Sequence, residues 1–138
     1  MNSPVTVDAS VFVSAFTPSE PAYQVSRAFM LGVREQSVPI IVPVLLLPEI
    51  SAALSRGQGK PELGLAFVQE LRNFPNATFI DVNDSIATLA VEVAANHRLR
   101  GSDAVYAAVA LRFGTELITL DKEQLERLPK VLDVRQPQ

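Results

Sequence analysis

Asp8, Glu49, Asp103 and Asp121 are the side chains of this sequence best suited to do chemistry together. Carboxylates hold hard divalent cations through oxygen, and such an ion can activate water against a phosphate ester. Softer chemistry is closed to the chain. It has no cysteine and its only histidine is His97, so disulfides, thiolate zinc sites and multi-histidine sites are excluded. With oxygen ligands alone on offer, Mg²⁺ or Mn²⁺ is the fitting ion, one or two of them.

Whether the acids meet depends on the elements that carry them. Short β-branched runs alternate with longer helical ones. "PVTVDA" reads as a strand ending near Asp8, "PIIVP" as a second, "ATFIDV" as a third, "TELITL" as a fourth and "VLDV" as a fifth. Helices are expected over Ser10–Phe16, Glu20–Gln36, Pro48–Arg56, from Pro61 with Leu63, Phe67, Leu71 and Phe74 at helical spacing, from about Asp84 to a stop at Gly101 with His97, Arg98 and Arg100 near its end, from Ser102 onward, and over Asp121–Leu128. Pro48 and Pro61 suit first helical turns, Gly57, Gly59 and Gly101 suit stops, and Ser102 suits an N-cap. Strands alternating with helices imply an α/β sandwich on a mostly parallel sheet. The whole chain, 1–138, has the length of one domain.

In such sheets ligands bind outside the carboxyl ends of the strands. Asp8 and Asp121 lie at that edge, Glu49 opens the helix after the second strand, and Asp103 opens the helix that feeds the fourth. Each acid alone reads equally well as a cap, a turn former or a partner of the helix dipole. Together they are costly, because two carboxylates ~5 Å apart repel by roughly 3 kcal/mol at an effective dielectric of 20. A bound divalent cation offsets that repulsion.

The pieces "VDAS" (7–10), "LPEISAAL" (47–54), "LRGSDAVYAAVA" (99–110) and "TLD" (119–121) occur in this order across almost the whole chain. In that ordered set the chain resembles the PIN-domain nucleases, and in size and layout the VapC-like toxins of type II toxin–antitoxin pairs. The resemblance implies a three-layer α/β/α sandwich on a five-stranded parallel sheet. It implies that Asp8, Glu49, Asp103 and Asp121 are catalytic and form a Mg²⁺ or Mn²⁺ pocket, with Ser10 and Thr119 supporting by hydrogen bonds. It implies endonucleolytic hydrolysis of RNA, and a separately encoded antitoxin as partner. Arg56, Lys60, Arg98, Arg100 and Lys122 are the candidate phosphate contacts beside these acids, each otherwise a solvated surface charge.

Bulk properties set limits. The net charge of −3 argues against coating nucleic acid by electrostatics alone and leaves room for a local basic groove. The 48% hydrophobic content excludes disorder and suits a covered subunit face, hence a homodimer. "MNSPVTVDAS" lacks the pattern of a signal peptide, and "VPIIVPVLLLPEI" is too short and too proline-broken to span a bilayer, so a cytoplasmic protein is expected. Rival functions are weaker. A phospho-acceptor receiver needs an acid pair after the first strand, where Asp8 is followed by Ala9 and Ser10. A Ser-His-Asp hydrolase needs a G-x-S-x-G elbow, which is missing. A PIN-like RNA-processing or inactive binding module outside a toxin system is the remaining alternative.

Overall fold

The computed structural model describes residues 3–138; Met1 and Asn2, which open the expected leaderless N-terminus, lie outside the described residues. Strands β1 (Val5–Val7), β2 (Ile40–Pro43), β3 (Ala77–Ile80), β4 (Glu116–Ile118) and β5 (Val134–Arg135) form one sheet in the order β3-β2-β1-β4-β5. Every pairing is parallel. Helices α1 (Ala9–Ala15) and α2 (Tyr23–Glu35) join β1 to β2, and α3 (Leu46–Gln58) and α4 (Pro61–Arg72) join β2 to β3. Helices α5 (Asp84–His97) and α6 (Gly101–Phe113) lead to β4, and α7 (Lys122–Arg127) leads to β5.

The chain steps leftward from β1 to β3, then crosses back past β1 to β4 and β5. Parallel crossovers are right-handed, so α1–α4 cover one face of the sheet and α5–α7 the other. This is the three-layer α/β/α arrangement expected from the sequence. Among the described residues, no helix is long and apolar enough to cross a membrane.

Two local features hold the layers at the spacing the acids need. β1 is buried along its length, including Thr6, whose hydroxyl donates to the Ile41 carbonyl at 2.7 Å and meets the Thr115 hydroxyl at 2.6 Å. Helix α6 is apolar all round because it lies between the sheet and α5, touching β1, β2 and β4. Ala104, Ala107, Ala108 and Ala110 are fully covered, and their small side chains let the helix approach the strands closely.

Several boundaries differ from the sequence reading. Helix α6 begins at Gly101 with Arg100 at its N-cap, so Gly101 opens this helix and Ser102 does not cap it. Helix α5 starts at Asp84 as expected, with Asn83 as its N-cap accepting from the Ile86 amide at 3.0 Å, but it ends at His97, short of Gly101. Helix α3 starts at Leu46, before Pro48, and runs through Gly57 to stop at Gly59, which takes φ +67°. Helix α2 starts three residues later than expected, at Tyr23, and β5 is shifted to Val134–Arg135.

Candidate active site

The order of the sheet reverses at β1, whose neighbours β2 and β4 lead away in opposite directions. That switch point leaves a crevice at the strand ends. Asp8 follows β1 directly, and its amide donates to the Ile118 carbonyl at 2.9 Å, which ties the ends of β1 and β4 together. Asp8 is 6% exposed. One carboxylate oxygen accepts from the Ser10 amide at 2.9 Å, so Asp8 is the N-cap of α1 as well as a wall of the crevice.

The other acids arrive from three directions. Glu49 lies in the first turn of α3, half-buried, and Tyr106 Oη donates to its Oε1 at 2.6 Å. Asp103 lies in the first turn of α6 and is 8% exposed. Asp121 caps α7, accepting from the Gln124 amide at 2.9 Å. The Arg100 guanidinium joins two of them, with Nε 2.8 Å from Asp103 and Nη2 2.7 Å from Asp121.

The electrostatics show that these carboxylates share one environment. Burial pushes the Asp8 carboxyl above the ordinary aspartate range; hydrogen bonds from Ser10 oppose the shift, and the charges of Glu49 and Asp121 add to it. Burial likewise raises Asp103, with Asp121 and Asp8 adding and Arg100 opposing. Burial, and then the charge of Glu49, pushes the Tyr106 phenol far up, so it remains a neutral donor at any working pH.

Ser10 and Thr119 are the hydroxyls expected to support the acids by hydrogen bonds. Ser10 Oγ accepts from the Leu120 amide at 3.1 Å, and Thr119 Oγ1 accepts from the Asp121 amide at 3.0 Å. The two hydroxyls are 3.5 Å apart. They shape the β4–α7 turn that delivers Asp121.

Two residues of the site went unread in the sequence. Gln124 is fully buried; its Oε1 accepts from Thr119 Oγ1 at 2.5 Å, and its Nε2 reaches the Asp103 carbonyl at 3.3 Å and Asp8 Oδ1 at 3.5 Å. It is bonded to β4, α6 and Asp8 at once. The signal was the spacing Asp121-x-x-Gln124, a capping-box pattern whose Gln turns into the core instead of back to the cap. Tyr106 sits three residues after Asp103, on the same helix face, which is the spacing that should have marked it.

The basic residues separate. Arg56, Lys60, Arg98 and Lys122 are exposed. Arg98 takes φ +55° at the end of α5, and its carbonyl accepts from Arg127. Arg100, read from sequence as a candidate phosphate contact, is the one of the five that pairs with the acids themselves.

Among the described residues, no three carboxylate or imidazole side chains stand close enough to hold a metal ion as arranged. The donor set nevertheless fits a hard cation. It is all carboxylate oxygen, and two of its acids, Asp8 and Asp103, are more than nine-tenths covered; burial raises the carboxyls of both, with neighbouring acid charges adding to each shift. In this arrangement the singly charged Arg100 guanidinium stands between Asp103 and Asp121.

Comparison with known proteins bears on the fold and the family. The curated protein Ribonuclease VapC3 from Pyrobaculum aerophilum is 24% identical over 93% of this chain and 97% of its own. Among solved structures, Mycobacterium tuberculosis VapC20, described as a sarcin-ricin loop cleaving toxin, superposes with a TM-score of 0.71 at 17% identity, covering 86% of this chain and 90% of that one. A toxin–antitoxin complex from Klebsiella pneumoniae contains a chain that superposes with a TM-score of 0.68 at 14% identity, covering 97% and 98%. The family profile described as "PIN domain" matches residues 5–131. With a match of that extent over a parallel sheet whose strand ends gather these acids, the chain belongs to the PIN domain family.

Proposed function

We propose that this protein is a metal-dependent endoribonuclease, the toxin of a type II toxin–antitoxin pair. The observation that carries the reading is the placement of Asp8, Glu49, Asp103 and Asp121 around the crevice where β1 and β4 end, in a chain of the PIN domain family. The names of its relatives, a ribonuclease and a sarcin-ricin loop cleaving toxin, support RNA as the substrate.

Asp8, Glu49, Asp103 and Asp121 would hold Mg²⁺ or Mn²⁺, one ion or two. Bound there, the ion would supply Lewis-acid polarisation of the scissile phosphate and a more acidic water. The protein's own part is orientation and charge. Tyr106 fixes one Glu49 oxygen and leaves the other for the crevice. Gln124 spans Asp8 and the Asp103 carbonyl, so that α1, α6 and α7 keep their spacing. Ser10 and Thr119 set the turn before Asp121. Arg56, Lys60, Arg98, Arg100 and Lys122 would meet the phosphate backbone, giving an acidic protein a local cationic approach.

The partners follow from the same reading. The chain of residues 1–138 acts as one domain in the cytoplasm, as a homodimer checked by a separately encoded antitoxin. Its surface supports protein partners. A groove of about 420 Å³ runs between α1, α2 and α4, lined by Phe12, Phe16, Met30, Leu31, Phe67 and Phe74. A contiguous apolar groove of this kind suits cover by another protein.

The test is cleavage of RNA by purified protein with Mn²⁺ and with chelator, beside an Asp8→Asn control. Metal-dependent cleavage lost in the control supports the reading; equal cleavage by both proteins refutes it. Growth arrest on expression, relieved by a small protein encoded next to the gene, tests the toxin role.

A further inference from the structure

Arg100 is unlike the other basic residues of the chain. Its guanidinium bridges Asp103 and Asp121 at 2.8 and 2.7 Å, yet its own side chain is 66% exposed, whereas those of its two partners are 11% and 19% exposed. The acids are the buried side of this contact and the cation is the wet side. A buried carboxylate keeps needing a positive charge. An exposed guanidinium loses little on returning to water, and exposed ion pairs are weak.

The backbone makes the guanidinium free to leave. Arg100 is the N-cap residue of α6 with extended backbone, φ −64° and ψ 153°. Its carbonyl accepts from the Ala104 amide at 3.0 Å, and the preceding Leu99 is buried at 7% exposure. The main chain is therefore anchored on both sides while the side chain is held only at its tip. Rotation about the side-chain bonds would remove the charge from the crevice without disturbing the helix.

From this geometry we infer that Arg100 is a built-in counter-cation, which neutralises Asp103 and Asp121 in the metal-free protein and must be displaced when a divalent ion loads. The inference rests on the metal-binding reading above. A divalent ion brings twice the charge to the same two carboxylates, and it repels a guanidinium left beside it. Arg100 thus lowers the metal affinity of the resting protein and protects the empty site from its own repulsion. Once displaced, its five donors are free for a phosphate.

The experiment is calorimetric titration of Mn²⁺ into the full chain, without RNA, for the native protein and for Arg100→Gln, Arg100→Lys and Asp8→Asn. Arg100→Gln should bind Mn²⁺ about tenfold more tightly than native, about 1.4 kcal/mol, with Arg100→Lys between the two. Melting should show the reverse without metal, with Arg100→Gln melting below native, and the gap should close at saturating Mn²⁺. Equal or weaker Mn²⁺ binding by Arg100→Gln would overturn the inference and leave the metal reading standing. Tighter binding by Arg100→Gln with Asp8→Asn unchanged from native would uphold the inference and remove Asp8 from the ligands. An absence of Mn²⁺ binding in every protein would overturn both readings.

Discussion

The Tyr106 hydroxyl donates to Glu49 Oε1 at 2.6 Å, joining helices α6 and α3 across the sheet's carboxyl edge. Glu49 is on a helix that packs mainly against α4, so this bond, made from the buried α6, is what aims it. Tyr106→Phe removes one oxygen from a side chain that is 1% exposed and leaves Glu49 able to reach water. It should cost about 1 kcal/mol of stability and lower the cleavage rate about tenfold with little change in RNA binding. Thermal melting, with kcat and KM measured separately, checks both.

Asp8 and Asp103 are both buried, but only Asp103 has a cation beside it. Asp8→Asn should therefore raise metal-free stability by about 1 kcal/mol, or about 3 °C in Tm, while abolishing cleavage. Asparagine caps a helix as well as aspartate does, so the bond from the Ser10 amide survives. A fall in Tm would mean that the charge of Asp8 stabilises the metal-free chain instead of costing it.

The pH dependence follows from the raised carboxyls of Asp8 and Asp103. A raised pKa makes the folded chain bind protons at a pH where the unfolded chain does not. Stability from these groups therefore grows as pH falls from neutral through their folded values, and levels off near the ordinary aspartate value of 3.8. The Tm advantage of Asp8→Asn over native should accordingly shrink between pH 7.5 and pH 4.5. Mn²⁺ affinity should weaken over the same range, because protons compete for the same oxygens.

Gln124 is uncharged yet fully buried in the middle of the acids. Gln124→Ala strips Thr119 Oγ1 and the Asp103 carbonyl of their partner and opens a cavity. About 2–3 kcal/mol of destabilisation is expected, with weaker Mn²⁺ binding as Asp8 and Asp103 lose their common spacer. Denaturant unfolding and calorimetry read the two effects.

Away from the site, Gly64 marks where α4 crosses α3. A Cβ there would lie 2.6 Å from the Ser51 carbonyl oxygen and overlap the Ser55 hydroxyl. Gly64→Ala should cost about 1–3 kcal/mol by forcing the helices apart, and should leave metal affinity unchanged. A neutral result in denaturant unfolding would mean that the α3–α4 contact is loose.

Much of this was readable from the residues. Strand and helix alternation announced the α/β layers, because a central parallel strand is covered on both faces and reads as an apolar run, as Ile40–Pro43 does. The acids were legible because the fold rule places strand-end residues at one edge, and Asp8 and Asp121 stand there. Contacts between elements distant in the chain were not legible. Arg100 looked like a free surface charge because nothing local shows that its tip reaches Asp121. Arg100 also displaced Ser102 as the cap of α6, since the position of a helix start is settled by how the preceding Leu99 packs, and not by capping preference alone.

The sheet order has one more consequence, for the time before the protein is complete. Its central strand, β1, is the first to be made, but it pairs on one side with β4, Val5 lying opposite Glu116. Asp8 therefore waits for Asp103 and Asp121 until nearly the whole chain has left the ribosome, and contacts this distant in sequence form slowly. Unfinished chains carry Asp8 and Glu49 without the two helices, α6 and α7, that bring Asp103 and Asp121. On the reading proposed above, a nascent nuclease would remain harmless to the RNA around it until its synthesis is almost done.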